Sequence, residues 1–345
     1  MSGWGGVVCA VLMVVLADGA WGQQRVIIDT DPGTDDALAI YLALNSPELK
    51  VEAFTVVPGN VVAEQGLDNA LKLLSVAGRC DVPVAAGAQH PLMQKVYTAG
   101  YWHGKNGIAD IELPPSKCKV DPRFAPDLII ELIHKYPHEI TLIPVGPLTN
   151  IALAVSKDPS IVGLTKNIVI MGGSISGGNT TGVAEANIFG DPEAAEIVFK
   201  AGWTVTMVGS DVGEQTLMRR KELTELEAGH GPVNDVVTKI ARFYIERSEK
   251  NGWDGAAMYD PLAVAVAFDP TLVTTKDMHI DVETRGEFTR GETVPNRNLE
   301  NEKNVLHGEH YEIEGYDKLA VNAKVCVASD APRFLAMFIN RVKGK

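Results

Sequence analysis

Cysteine is scarce in this chain: four residues in 345, none at the close Cys/His spacing that builds a zinc centre. A fold held by a framework of disulfides is therefore excluded, although one bridge stays open among Cys80, Cys118 and Cys326. Basic charge is also short. Lys and Arg total 31 against 44 Asp and Glu, a formal charge of −13. A net acidic surface repels polyanions, which argues against general binding to nucleic acid or an anionic membrane and leaves a small neutral ligand open. Beyond the N-terminus no apolar run reaches the length of a membrane-spanning helix. Linkers rich in Pro, Ser or Gly are missing, as is any repeat at a fixed period. What remains is ordinary globular usage, 46% apolar and 22% charged, in a chain long enough to bury a sizeable core.

Residues 7–17 are mostly apolar, and no Lys or Arg precedes Arg25. A run of about eleven residues is too short to cross a bilayer and suits the apolar region of a signal peptide. Ala20-Trp21-Gly22 places small residues on either side of Trp21, as a cleavage after Gly22 requires. Residues 1–22 are thus expected to be a signal peptide and 23–345 one mature domain, secreted or, in a bacterium, periplasmic. The absence of a basic start keeps an uncleaved apolar strand as the other reading.

From Arg25 onward, short β-branched runs alternate with helical patterns. Strands are predicted at 26–28, 51–57, 140–145, 168–171 and 204–208. Helices are predicted at 35–44, 63–77, 128–134, 148–155, 192–200 and 234–250. This order implies an α/β fold: a Rossmann-like open, largely parallel sheet with helices on both faces, in a single domain. The polar stretch 285–308 reads as a hairpin or loop. In such a sheet ligands bind beyond the carboxyl ends of the strands, so functional residues are sought just after each one.

Four carboxylates fall within eight residues after the first strand, in Asp29-Thr30-Asp31-Pro32-Gly33-Thr34-Asp35-Asp36. Two unit charges about 4 Å apart repel by roughly 4 kcal/mol at an effective dielectric near 20. Such crowding needs a cation or hydrogen-bond donors. Asp35 and Asp36 fall at a helix start, where free backbone N–H groups favour anions. Pro32-Gly33 is a turn signal that can fold Asp31 back towards Asp36. A helix-capped turn is one outcome; a hard-cation site is the other, with Ca²⁺ favoured because it takes six to eight oxygen ligands in irregular geometry.

The segment Asp29-Thr30-Asp31-Pro32-Gly33-Thr34-Asp35-Asp36-Ala37 resembles the N-terminal fingerprint of the nucleoside hydrolases, calcium-dependent N-ribohydrolases of the inosine–uridine type. Val57-Pro58-Gly59-Asn60, Pro144-Val145-Gly146-Pro147-Leu148-Thr149-Asn150, Met171-Gly172-Gly173, Ala184-Glu185-Ala186-Asn187 and Tyr259-Asp260-Pro261 resemble the later motifs in the same order. Together they cover almost the whole mature chain.

The resemblance implies hydrolysis of the N-glycosidic bond of ribonucleosides to free base and ribose. It implies Ca²⁺ held by Asp31, Asp36, Asp260 and the main-chain carbonyl of Val145. It assigns catalysis to Asp31, which takes the proton of a calcium-oriented water, and to Asn187. Asp35, Asn60, Asn179, Glu185 and Asn187 match positions that bond ribose hydroxyls, Met171 one that packs near the sugar, and His103 one close to ribose and base. A homodimer or homotetramer is implied as well. Asp260 before Pro261 also has the form of a simple helix N-cap. The sequon Asn179-Thr180-Thr181 is expected to stay unglycosylated, because Asn179 would be covered by substrate.

One departure concerns the leaving base. The family's inosine–uridine members carry a histidine directly before the last calcium aspartate, and here that residue is Tyr259. Tyrosine, with an ordinary pKa near 10, is a poor match for a proton-transfer acid. Trp253, Tyr259, Tyr101 and Trp102 offer stacking instead, which favours purine ribosides. Two other readings compete. A haloacid-dehalogenase phosphatase also begins Asp-x-Asp, but Pro32-Gly33-Thr34 breaks its spacing. A catalytically silent secreted nucleoside-binding protein on the same scaffold is the alternative that Tyr259 leaves open.

Overall fold

The computed structural model describes residues 22–296 and 320–344. The segment read as a signal peptide lies outside the described residues except for Gly22, as does the polar stretch beyond residue 296.

The anticipated alternation is present. Strands β1 (Gln24–Thr30), β2 (Leu49–Val56), β3 (Val84–Ala86), β4 (Ile140–Pro144), β5 (Asn167–Met171) and β6 (Val205–Val208) are linked by helices. A two-residue ladder of β7 (Leu217–Met218) and β8 (Ala256–Ala257) follows, and then β9 (Val273–Val282), β10 (Thr293–Asn296) and β11 (Ala323–Ser329). The main sheet has nine strands in the order β10-β9-β11-β6-β5-β4-β1-β2-β3. From β3 across to β11 every pairing is parallel, while β9 and β10 add an antiparallel edge.

Central strands of such a sheet are buried on both faces and read as continuous apolar runs. In β1, Ile28 faces one core and Ile27 the other. The first core collects Thr34–Leu44, Pro232–Lys250, Tyr259–Phe268 and Ala331–Val342; the second collects Ala125–Lys135, Thr149–Lys157 and Pro192–Lys200. Helix Thr34–Leu44 is buried from Thr34 through Ala43, which explains its apolar character all round. It begins where Gly33 is extended and its N–H donates to Asp36 Oδ2 at 2.8 Å, so a carboxylate in the first turn satisfies a donor that the helix leaves free.

The chain runs from β1 out to β3 and then returns to β4 on the other side of β1. This reversal opens a crevice at the carboxyl ends of β1 and β4, the place where open α/β sheets bind ligands. Part of the stretch 285–308 is a hairpin strand: β10 pairs with β9, and Thr293 Oγ1 both donates to Ser174 O and accepts from Ser174 N–H.

Cys80 and Cys118 form a disulfide across 38 residues, and Cys326 is free and buried. Closing a loop of that length restricts the unfolded chain and is worth about 2–4 kcal/mol. Replacing both cysteines by serine is expected to lower the unfolding free energy by that amount in urea titrations; an unchanged midpoint would show that the bridge contributes nothing.

Candidate active site

Beyond the ends of β1 and β4 lies a cavity of about 380 Å³. Its wall carries Asp35, Asn60, His103, Val145, Met171, Asn179, Glu185, Asn187, Trp253, Tyr259 and Asp260. Thirteen of the fifteen residues singled out in the sequence, Tyr101 and Trp102 included, therefore meet around one space. The other two, Asp31 and Asp36, are not on the wall and are 1% and 0% exposed.

Asp36 is the best-tied carboxylate. Its Oδ1 accepts from Thr30 Oγ1 at 2.5 Å and Asp31 N–H at 3.2 Å; Oδ2 accepts from Gly33 N–H at 2.8 Å and Asn60 Nδ2 at 2.9 Å. Asp31 Oδ2 accepts from Asn60 N–H at 2.6 Å, and Oδ1 is buried with no hydrogen-bond partner. Two glycines give this side chain its room. A Cβ at Gly59 would lie 2.0 Å from Asp31 Oδ2, and one at Gly146 would lie 2.7 Å from Oδ1. The turn at Pro32-Gly33 thus does bring Asp31 back beside Asp36.

The three carboxylates whose oxygens converge within 4.8 Å are Asp35, Asp36 and Asp260. Asp35, read from the sequence as a ribose ligand, belongs to this group, while Asp31 falls outside it. Asp260 is the second residue of helix Tyr259–Phe268, whose N-cap is Met258 with no side-chain cap. Its carboxylate is therefore turned to the site and is not spent capping its own helix.

Burial raises the pKa of every member. Asp35 is pushed up to about 8, first by burial and then by the charge of Asp36. Burial lifts Asp31 and Asp260 well above the usual carboxylate range, with Asp36 adding to the first and Asp35 to the second. Behind them Asp29 rises to about 7 through burial, tempered by hydrogen bonds from Asn150 and Thr55. Asp29 Oδ1 accepts from Thr55 Oγ1 at 2.5 Å and Asn150 Nδ2 at 2.8 Å, which ties the first motif to the Thr149-Asn150 motif. Buried oxygens without partners, Asp31 Oδ1 and Asp35 Oδ1, beside a converging carboxylate group are what a hard divalent cation needs, and the donor set is all oxygen. The residues present fit such an ion.

Around the rest of the cavity, amides and backbone fix the polar groups. Glu185 caps the short helix Ala186–Gly190, accepting from the N–H groups of Asn187 at 2.9 Å, Ile188 at 3.2 Å and Gly173 at 2.9 Å. Asn187 Nδ2 donates to Val145 O at 2.9 Å and to Met171 O at 3.1 Å. The carbonyl of Val145 retains its second lone pair. Asn179 is exposed at the rim, with Oδ1 accepting from Ala186 N–H at 2.9 Å, so the protein itself does not bury the sequon as a substrate would.

His103 ends the short helix Gly100–His103 and is buried. Its Nδ1 accepts from Thr34 N–H at 3.2 Å and lies 2.7 Å from Thr34 Oγ1, so the ring proton sits on Nε2. Burial lowers its pKa to about 3, so the ring is neutral. Tyr259 is raised by burial and stays a phenol. Trp253 is 36% exposed at the mouth, and Tyr101 is 70% exposed beside it on the wall.

Sequence reasoning missed Tyr244, Ser248 and Glu214, all on the wall. Tyr244 and Ser248 sit on the inner face of an amphipathic helix, Pro232–Lys250, and their spacing looks like core. Glu214 follows β6 by six residues, and the search beyond strand ends was the signal that reaches it.

A family model described as inosine-uridine preferring nucleoside hydrolase matches residues 26–336. The chain is 44% identical over 274 residues to the inosine-uridine preferring nucleoside hydrolase of Leishmania major, covering 79% of this chain and 87% of that one. It is 39% identical over 277 residues to a pyrimidine-specific ribonucleoside hydrolase of Photobacterium profundum, covering 80% and 89%. Among solved structures, the purine-preferring ribonucleoside hydrolase from Gardnerella vaginalis superposes with a TM-score of 0.83 at 37% identity, over 93% of this chain and 98% of that one. Such likeness in sequence and fold, over nearly the whole length and around a cavity built from the motif residues, means that the chain belongs to the inosine-uridine preferring nucleoside hydrolase family.

Proposed function

We propose that this nucleoside hydrolase cleaves purine ribosides in preference to pyrimidine ribosides, with Asp31 as the base that activates water and Ca²⁺ held by Asp31, Asp36, Asp260 and the Val145 carbonyl. The observation that carries the reading is Asp31 itself: one oxygen is fixed by Asn60 N–H and the other is buried without a partner beside other carboxylates. Calcium, when bound, would supply a Lewis acid for water and a template for vicinal ribose hydroxyls.

The chain's own residues do the rest. Asp31 Oδ2 is anchored, so Oδ1 is the atom left to take a proton. Asp35 stands on the wall and in the carboxylate group, placed to meet both ion and sugar. Cleavage develops positive charge on the ribosyl ring, which oriented oxygens stabilise without reorganising. Asn187 supplies one of them: its nitrogen is used on Val145 and Met171, which leaves Oδ1 for the cavity. His103 offers Nε2–H as a neutral donor. Trp253 and Tyr259 flank the space for the base, and stacking there raises the basicity of a purine more than that of a uracil ring.

Export from the cell is proposed too, supported by the Cys80–Cys118 disulfide, which persists in oxidising compartments. Mass spectrometry of protein from the medium or periplasm should then find a chain starting at Gln23.

Asp31→Asn should cut turnover at least about a hundredfold, since proton acceptor and ion ligand go together. Gly59→Ala should act similarly, because its methyl would displace the Asp31 carboxylate. Both are read as reducing sugar released from inosine; near-normal release by Asp31→Asn removes Asp31 from its role, and no release by the wild type leaves a silent binding protein.

Removing the ion should expose the carboxylate repulsion. A ligand at about 100 times its dissociation constant adds roughly 2.7 kcal/mol. Exhaustive chelation is therefore expected to lower the melting temperature and abolish activity, with Ca²⁺ restoring both; an unchanged melting curve and full activity in chelator would refute the ion.

For the base, kcat/KM with inosine, guanosine, adenosine and uridine is compared for wild type, Trp253→Ala and Tyr259→Phe. Purines should lead, and Trp253→Ala should slow them. Uridine as best substrate, or purine rates indifferent to Trp253→Ala, defeats the stacking account.

A further inference from the structure

We infer that Glu214 selects the nucleobase, its carboxylate accepting hydrogen bonds from the ring N–H edge of a 6-oxopurine, so that guanosine and inosine are favoured over adenosine. The inference rests on the cavity being the nucleoside site.

Glu214 follows the short helix Ser210–Gly213, beyond the carboxyl end of β6, and it lines the cavity. Its side chain is half-buried, and its carboxylate has no hydrogen-bond or ion-pair partner among the described residues. The neighbouring side chains of Asp211, Gln215 and Thr216 are engaged. Asp211 accepts from Ser174 Oγ at 3.0 Å, Ile175 N–H at 2.9 Å and Ser176 Oγ. Gln215 reaches Asp211 O, Val327 O and Ser329 N–H. The Glu214 carboxylate is idle, and burial together with the Asp211 charge holds its pKa above the usual range. Among the described residues no Lys or Arg lines the cavity, so no cation there is placed to pair with this carboxylate, and a ligand's N–H groups can.

Its place is beside Tyr259. The Tyr259 ring rests on Gly213, where a Cβ would lie 2.2 Å from Cδ1, and after burial the charge of Glu214 is the largest influence on the Tyr259 hydroxyl. Trp253 lines the same cavity, whereas the sugar-side groups Asp35, Asn60 and Asn187 gather near β1 and β4.

The chemistry that suits an acceptor-only group here is specific. Guanine presents N1–H and an exocyclic N–H side by side, a match for two carboxylate oxygens; hypoxanthine presents N1–H. Adenine turns the lone pair of N1 to the same place, where a carboxylate repels it. A site with unpaired polar groups discriminates strongly against a ligand that cannot pair them.

The test measures kcat/KM for guanosine, inosine and adenosine with wild type, Glu214→Gln and Glu214→Asp. Glu214→Gln is expected to lower the guanosine-to-adenosine ratio about tenfold or more, because a charged acceptor is lost and an amide donor faces the ring N–H. Glu214→Asp, which keeps the charge, should retain part of the preference. In the wild type, free guanine should inhibit more tightly than adenine, a measurement that needs no variant. A ratio unmoved by Glu214→Gln, whether all rates fall together or none does, overturns the role of Glu214 while hydrolysis itself stands, and so does tighter inhibition by adenine. A wild type that hydrolyses no nucleoside overturns both this role and the reading beneath it.

Discussion

Mutual repulsion among buried carboxylates is the constraint around which the rest of the site is arranged. Asp29, Asp31, Asp35, Asp36 and Asp260 are all at most 6% exposed, and each has its pKa raised by burial. At separations near 4 Å each ionised pair costs about 4 kcal/mol in a medium of intermediate dielectric, a large share of the stability of any domain. Hydrogen-bond donors relieve part of this at Asp36 and Asp29. They do not reach Asp31 Oδ1 or Asp35 Oδ1, and that residue of uncompensated charge suits the crevice to a cation.

The sheet supplies the geometry that makes the crowding possible. Asp29 and Asp31 come from the end of β1, Asp35 and Asp36 from the start of the next helix, Val145 from the end of β4, and Asp260 from the start of another helix. Each is anchored in an element with an apolar core beneath it, so the charges cannot relax apart by moving the backbone. Asn60 and Asn150 do the cross-linking. One ties the loop after β2 to Asp31 and Asp36, and the other ties the loop after β4 to Asp29. Glycine at 59 and 146 then leaves space that any side chain would take from Asp31.

Much of this was legible in the sequence because it is local. Strands β1, β2, β4, β5 and β6 are largely apolar runs, whereas β3, three residues long, gives too short a pattern to be read; the acidic cluster, the Asn60 motif and the Glu185-Ala186-Asn187 motif are contiguous segments at strand ends. The C-terminal part was less so. Strand β9, Val-Thr-Thr-Lys-Asp-Met-His-Ile-Asp-Val, has an exposed first half at the sheet's antiparallel edge, and its polar residues mask the strand pattern. Helix Arg220–Glu227 is short, buries only Leu223 and Leu226 and is otherwise polar, so its apolar stripe is two residues wide. Tyr244 and Ser248 failed for another reason. Helical spacing says which face is inward, but whether that face meets packed side chains or an open cavity depends on β8 and helix Tyr259–Phe268, which are distant in sequence.

The two ends of the cavity differ in how they are built, and this bears on what each can change. At the inner end Asp36, Glu185 and Asn187 are buried and held by several hydrogen bonds, so replacing one leaves charges or donors unpaired at a cost of about 1–3 kcal/mol or more. The mouth carries Trp253, Tyr101, Asn179 and Glu214, which are half-buried or exposed and stand on short segments. Substitution there removes little packing and strands few buried groups, so the penalty in stability is small. The carboxylate group is thereby tied to the core, and the aromatic side chains of the mouth to its rim. A scaffold of this kind can keep one set of buried carboxylates while the side chains at its mouth are exchanged.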